Sequence, residues 1–491
     1  MKKLFVAVFA AFAVQTLEAQ IPQSEYAARR AAVVNGLPNG LLIALGAQPP
    51  EADYINFFQS SNFNYLTGFE EPDAALVMVV ENGAIKGQPI LFVPPKDPAR
   101  EVWEGHRLGV DSAKARFNMD ARPSNALDRV VDSLFASGVP KTIHVVGDYR
   151  RGRALRSVDD QRIEAIIGRN AGATAQSINT RVNARRGVRS AAELDLLRKA
   201  IAITVDAHRE AAKAIEPGMN EFEIQGLIEY TFRRNGAARP GFGSIVGSGP
   251  NSTTLHYNAN DRFIERGDVI VIDIGASYRG YSADVTRTYP ANGTFSPAQR
   301  DVYTAVRAAQ VAAEQAARLN GPAGALSEAA SSSLSRSLAS MGLIEAPGAT
   351  YDCGSGSKCT QLSLYYMHGL GHPIGLDVHD AGASTGSGNL VPGSAYTLEP
   401  GIYVRSNLLE IIPDTPANRE MIAKIRPAVQ KYANIGVRIE DDYIVTDRGI
   451  EWVSQAPREL AEVEALMKQP WNGPAARDRA KVEWYRTTTP P

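Results

Sequence analysis

Cysteine is scarce in this sequence: only Cys353 and Cys359 occur among 491 residues. Two cysteines cannot form a structural zinc site, which takes four cysteine or histidine ligands. They flank the short segment GSGSK at residues 354–358. In an oxidising compartment such a loop lets the two thiols pair. The alternative is two unrelated buried thiols. The spacing favours a disulfide.

An excess of charge of one sign is also missing. Lysine and arginine number 52, and aspartate and glutamate number 53. Proteins that bind nucleic acid or anionic membranes through charge carry a basic excess or a basic patch. Because the sequence has neither, we expect neither nucleic acid nor a membrane surface as its partner.

The sequence has no apolar run of the roughly 20 residues that a membrane-spanning helix needs. At the N-terminus, two lysines precede the apolar residues 4–14, and a polar segment follows at residues 17–20. This order is typical of a secretory signal peptide. We expect residues 1–19 to be removed and the mature protein to be periplasmic or extracellular; the alternative is a buried N-terminal strand or helix.

The length predicts more than one domain. Within residues 23–180, four short apolar runs predict strands, at residues 41–45, 75–80, 90–93 and 143–146. Apolar residues spaced i, i+3, i+4, i+7 between 127 and 135 predict a helix packed on a sheet. We therefore expect an N-terminal α/β domain. It contains no cluster of histidine, cysteine and acidic residues with ligand spacing.

A second domain is predicted for residues 188–468. Capping boxes at Ser190, Asn220 and Ser296 open long amphipathic helices. Two helices followed by strands occur twice, with strands expected again from Leu364. This order predicts two halves that close around a shared cleft. Residues 469–491 are polar and end in prolines, so we expect a flexible tail.

Three of the seven histidines lie close together, at positions 368, 372 and 379. Two glycines separate His368 from His372, and Pro373 follows directly. These residues argue against a helix, so the pair is not the zinc-binding face of an H-E-x-x-H metallopeptidase. The imidazoles are therefore expected on a loop or strand.

Acidic residues occur at the ends of predicted strands. A hairpin that turns at residues 277–280 would place Asp273 directly opposite Asp284, with Cβ atoms about 5 Å apart. Two carboxylates in that position repel each other unless a cation lies between them. Glu399 ends another apolar strand, and Arg438 and Glu440 share one face of a third.

Asp273, Asp284, Glu399 and Glu440 contribute four negative charges, and His372 adds a neutral nitrogen. Two divalent cations would balance this set. Oxygen-rich coordination with one imidazole favours manganese or cobalt, although zinc remains an alternative. Two such ions can activate water and polarise a carbonyl, as amide hydrolysis requires.

The chain resembles aminopeptidase P, the Xaa-Pro aminopeptidases of the pita-bread metallopeptidases, over residues 25–468. The resemblance implies an α/β fold with an N-terminal domain followed by a pita-bread catalytic domain of two pseudo-symmetric ααβ halves. The matching motifs are residues 255–257 (LHY), 273–275 (DIG), 284–287 (DVTR), 368–372 (HGLGH), 377–380 (DVHD), 399–401 (EPG) and 438–441 (RIED).

The resemblance also implies roles for individual residues. The ligands of a dinuclear metal site, usually manganese, would be Asp273, Asp284, His372, Glu399 and Glu440. Catalytic roles fall to His256, His379 and Glu399, the last as a proton shuttle. His368 and Arg438 would bind substrate.

Segments 61–72 and 101–109 resemble the N-terminal domain of aminopeptidase P. They imply an enzyme that removes the first residue from peptides with proline second. A homo-oligomer is a separate expectation. A prolidase, which cleaves Xaa-Pro dipeptides, is the alternative, because the long connection from Glu399 to Glu440 also occurs there. A pita-bread binding protein without activity is a different class. Phe242 replaces an expected tyrosine, and Asn62 an aspartate found in some members.

Overall fold

The computed structural model describes residues 21–52, 55–383 and 386–473. The predicted signal peptide and most of the predicted tail, residues 474–491, lie outside this part. The N-terminal elements are α1 (Gln23–Val34), β1 (Gly40–Leu45), α2 (Ser61–Thr67), β2 (Ala75–Glu81), β3 (Ala84–Val93), α3 (Pro98–Glu104), α4 (Gly109–Phe117), β4 (Asp120–Pro123), α5 (Leu127–Ala136), β5 (Thr142–Val146), α6 (Val158–Arg169), β6 (Thr174–Ser177) and α7 (Asn179–Arg186).

These strands form one six-stranded sheet in the order β4-β3-β2-β1-β5-β6. The pairs β1–β2 and β2–β3 are antiparallel, and β1–β5, β3–β4 and β5–β6 are parallel. Apolar clusters cover both faces of this sheet. The predicted strands and the predicted helix α5 are confirmed, since Leu127, Val130 and Phe135 of α5 are buried against the sheet.

The remaining helices and strands follow a repeated order. They are α8 (Ala191–Ala214), α9 (Glu221–Arg234), β7 (Arg239–Pro240), β8 (Ile245–Ser248), β9 (Val269–Ile274), β10 (Ala276–Tyr278), β11 (Tyr281–Ser282), β12 (Val285–Pro290), α10 (Pro297–Ala316), α11 (Gly324–Ser340), β13 (Thr350–Gly354), β14 (Ser357–Thr360), β15 (Ala395–Leu398), β16 (Gly401–Val404), α12 (Pro416–Tyr432), β17 (Ile435–Arg438), β18 (Asp441–Thr446), β19 (Gly449–Trp452) and α13 (Leu460–Met467).

Two helices followed by strands thus occur twice, as the sequence predicts. All three predicted capping boxes form, at the starts of α8, α9 and α10. One apolar core contains residues of both halves. The halves also meet through an antiparallel bridge between Thr286 and Glu440. None of the helices in the described ranges is long and apolar enough to cross a membrane.

The hairpin between the two aspartates forms, but its predicted register is wrong. Thr286, not Asp284, lies opposite Asp273. The turn is a tight one at Arg279 and Gly280, whose φ angles of 52° and 86° suit a two-residue hairpin connection. Asp284 is two residues before Thr286, so its side chain emerges on the same face as that of Asp273.

One further expectation differs from the structure, and one helix was not predicted. Strands return earlier than Leu364, at β13 and β14, and the described residues 365–383 and 386–394 belong to none of the named strands before β15 begins. The long connection between Glu399 and Glu440 contains α12, whose internal Pro427 conceals the helical pattern. The predicted disulfide between Cys353 and Cys359 is present and closes the β13–β14 hairpin.

Candidate metal centre and active site

One cavity of about 600 Å³ lies between the two halves of the second domain. Every site residue predicted from the sequence lines it: His256, Asp273, Asp284, His368, His372, His379, Glu399, Arg438 and Glu440. The strands β9, β12, β15 and β17 end or begin at this cavity and present the acidic residues to it.

The loop that carries His372 is held against the strand that leads to Glu399. The amide of Thr397 donates to the His372 carbonyl at 2.9 Å, and the Glu399 amide donates to the Leu370 carbonyl at 2.8 Å. Gly371 lies so close to this strand that an added Cβ would be 2.0 Å from the Thr397 oxygen. Only glycine permits this approach.

The acidic groups and imidazoles converge in three overlapping sets. Within each set, one ligand atom of every member lies within 4.8 Å of the others; the sets are Asp273–Asp284–Glu440, His372–Glu399–Glu440 and Asp284–His372–His379. The Nε2 atom of His372 is 3.4 Å from Asp284 and 3.6 Å from Glu399. All five predicted ligands therefore belong to one connected cluster.

Three carboxylate oxygens of this cluster are buried and accept no hydrogen bond from the described residues: Oδ1 of Asp273, Oδ1 of Asp284 and Oε1 of Glu440. Buried acceptors without a partner are costly. Burial, followed by repulsion from neighbouring carboxylates, raises the pKa of Glu440 to about 8 and that of Asp284 well above its usual range. Divalent cations would satisfy the oxygens and remove the repulsion, so this donor set fits a metal site.

His372 has the protonation state that a metal ligand needs. Burial, followed by the nearby His379, lowers its pKa to about 4, so the ring is neutral at pH 7. An Nδ1–H that donates to the Pro373 carbonyl at 3.1 Å leaves the lone pair on Nε2, which faces the carboxylates.

Arg438 is buried and contacts the cluster from one side. Its Nη2 donates to Asp273 at 2.5 Å, and its Nη1 donates to the Tyr403 hydroxyl at 2.8 Å. The Nε2 atom of His368 is 2.8 Å from the same hydroxyl. Tyr403 therefore joins Arg438 to His368. No role for Tyr403 was predicted from the sequence, although this residue follows the E-P-G motif on a strand. Its contacts form only when the chain folds.

Two other supporting residues, Thr286 and Asp442, were also not predicted from the sequence. The Thr286 hydroxyl donates to Glu440 Oε2 at 2.7 Å. Asp442 Oδ2 accepts from the backbone amide of Asp284 at 3.2 Å. Both interactions orient a predicted ligand through a partner more than 150 positions away in the sequence.

His256 and His379 differ from the other site residues because their side chains are exposed at the cavity. The ring of His379 lies 4.0 Å from that of His372, centroid to centroid. Phe242 lines the cavity and has no hydroxyl to support a ligand. Asn62 is not among the lining residues; its Oδ1 accepts from Arg186 at 2.7 Å.

The fold and the site define a metal-dependent hydrolase. A model of metallopeptidase family M24 matches residues 195–447, and a model of the aminopeptidase P N-terminal domain matches residues 26–144. The chain belongs to metallopeptidase family M24. Its architecture is that of aminopeptidase P: the N-terminal domain followed by the pita-bread catalytic domain.

Named relatives support this assignment. The chain is 32% identical to an Xaa-Pro aminopeptidase of Escherichia coli K12 over 460 residues, which cover 91% of this chain and 98% of the relative. It is 30% identical to a human Xaa-Pro dipeptidase over 452 residues, covering 86% and 87%. The solved structure of proline aminopeptidase P II from Yersinia pestis superposes with a TM-score of 0.76 at 30% identity, covering 91% of this chain and 99% of that one.

Proposed function

We propose that the protein is a metallo-aminopeptidase that releases the N-terminal residue from peptides whose second residue is proline. The observation that carries this proposal is the set of buried, unpartnered carboxylate oxygens that converge beside a neutral His372. The N-terminal domain and the Xaa-Pro aminopeptidase relatives support the choice of substrate. The inactive binding protein is not favoured, because every predicted ligand type is present at the site.

In this proposal Asp273, Asp284, His372, Glu399 and Glu440 would hold two divalent ions, and we propose manganese. When bound, such ions supply Lewis acidity, which activates water and polarises the scissile carbonyl. The oxygen-rich donor set supports manganese or cobalt over zinc.

The residues of the chain supply the remaining chemistry. Burial, followed by repulsion from Glu440, raises the pKa of Glu399 well above its usual range, so its carboxyl can take a proton from water and deliver it to the prolyl nitrogen. His256 and His379 line the cavity and donate hydrogen bonds to the oxygen on which charge develops. Arg438 and His368, joined by Tyr403, position the peptide.

A substrate comparison tests this proposal. Purified protein loaded with Mn²⁺ is offered an Xaa-Pro-Yaa tripeptide, the matching Xaa-Pro dipeptide and an Xaa-Ala-Yaa tripeptide. We expect release of the first residue from the proline tripeptide, with kcat/KM about 100-fold lower when alanine replaces proline. Cleavage confined to the dipeptide would assign the protein as a prolidase instead, and no cleavage of any peptide would refute both.

We further propose export, with cleavage after Ala19. The disulfide between Cys353 and Cys359 supports an oxidising compartment. Mass spectrometry of the protein isolated from the periplasm or medium should show a chain that begins at Gln20. A full-length chain retained in the cytoplasm would contradict this proposal.

A further inference from the structure

His256 is carried by the loop between β8 and β9, not by a strand. Its imidazole is exposed at the cavity, whereas both of its neighbours, Leu255 and Tyr257, make hydrogen bonds to distant residues. The position of this imidazole therefore depends on the backbone of the loop. Residues that fix the loop backbone therefore also fix the point to which His256 donates its hydrogen bond.

The carboxylate of Glu221 contacts this loop. Glu221 is the first residue of α9 and is fully buried. Its Oε1 accepts from the amide and the hydroxyl of Ser248, at 2.6 and 2.7 Å. Its Oε2 accepts from the Arg262 amide at 2.9 Å and lies 2.9 Å from the Tyr257 hydroxyl, whose single proton it shares with Asp261 Oδ1 at 2.8 Å. One side chain thus contacts Ser248 at the start of the loop, the residue next to His256 and Arg262 further along the loop.

Leu255, the other neighbour of His256, is held by a different contact. The Leu255 carbonyl accepts from Arg438 Nη2 at 3.4 Å. Nearer the start of the loop, Ser252 Oγ accepts from the Gly436 amide at 2.9 Å. His256 therefore lies between two fixed residues, one anchored to the strand of Arg438 and the other anchored to Glu221.

We propose that Glu221 is a positioning residue, which orients His256 toward the reacting carbonyl through Tyr257 and the loop backbone. This inference rests on the proposed function. A carboxylate suits the position because it only accepts hydrogen bonds, faces the Ser248 amide, the Ser248 hydroxyl and the Arg262 amide, and lies at the positive end of α9. A misplacement of about 1 Å at a catalytic group can lower a rate about 100-fold.

A double-mutant cycle tests the inference. Glu221→Gln keeps the shape of the side chain, but its amide nitrogen donates where the backbone amide of Arg262 or Ser248 must also donate. We expect kcat to fall about 10- to 100-fold while KM stays within about twofold. In the His256→Ala background the same substitution should change kcat less than about twofold, because the positioned group is gone.

Glu193→Gln is the matched control. Glu193 is also a buried glutamate in the first turn of a long helix, caps that helix through Ser190, and accepts from a tyrosine hydroxyl, that of Tyr281 at 2.9 Å. Its substitution should lower the melting temperature and change kcat by the same factor with or without His256. Bound metal, measured by mass spectrometry, should be equal in all variants.

Tyr257→Phe provides a milder variant if Glu221→Gln does not fold. It removes the hydroxyl that contacts both Glu221 and Asp261 and should lower kcat about threefold to tenfold, again only when His256 is present. Equal factors in both backgrounds would overturn the inference. An inactive wild-type protein would instead refute the proposed function, so the two failures can be distinguished.

Discussion

Replacement of Asp284 by alanine should lower kcat for Xaa-Pro-Yaa hydrolysis at least about 1000-fold, as expected when a preorganised electrostatic group is lost. Asp284 belongs to two of the three ligand sets, one with Asp273 and Glu440 and the other with His372 and His379. Its loss removes an oxygen donor from the centre of the cluster. Steady-state kinetics with excess Mn²⁺ measures the change.

Asp206→Ala is a suitable control, because Asp206 has an exposed carboxylate on α8 and lies outside the cavity. It should keep wild-type kinetics. Without metal, Asp284→Ala should be at least as stable as the wild type, because repulsion from Glu440 and Asp273 adds to the burial that raises the pKa of Asp284. An active Asp284→Ala enzyme would show that the hydrolytic centre lies elsewhere.

Removal of metal by a chelator should abolish hydrolysis and lower the melting temperature. The loaded site pairs cations with carboxylates whose oxygens otherwise lack partners. At a free metal concentration of about 100 times Kd, binding stabilises the folded state by about 2.7 kcal/mol. For a domain the size of residues 188–468 that corresponds to a shift of about 5 °C. Differential scanning calorimetry with and without Mn²⁺ measures the shift.

The Asp284→Ala variant supplies the control for this measurement, since its shift with Mn²⁺ should be much smaller than that of the wild type. Activity should return when Mn²⁺ is restored to the chelated wild type. Equal melting temperatures with and without metal, together with undiminished activity, would contradict a metal-dependent mechanism.

Local patterns predicted much of the fold. The capping boxes at Ser190, Asn220 and Ser296 depend on contacts between residues three apart, and all three form. The helix α12 was missed because Pro427 interrupts its pattern and because its packing partner β13 is distant in sequence. The hairpin register was missed because it depends on the two-residue turn at Arg279 and Gly280.

By itself the sequence determined the kinds of groups at the site, because the spacing of carboxylates and histidines around apolar strands is a local property. Only the tertiary structure decided how they meet. Arg438 reaches Asp273 across 165 positions, and Tyr403 and Glu221 acquire their partners only when separate elements pack together. Hydrogen bonds act over about 3 Å, so a contact between distant segments depends on the packing of the whole core and not on any short pattern.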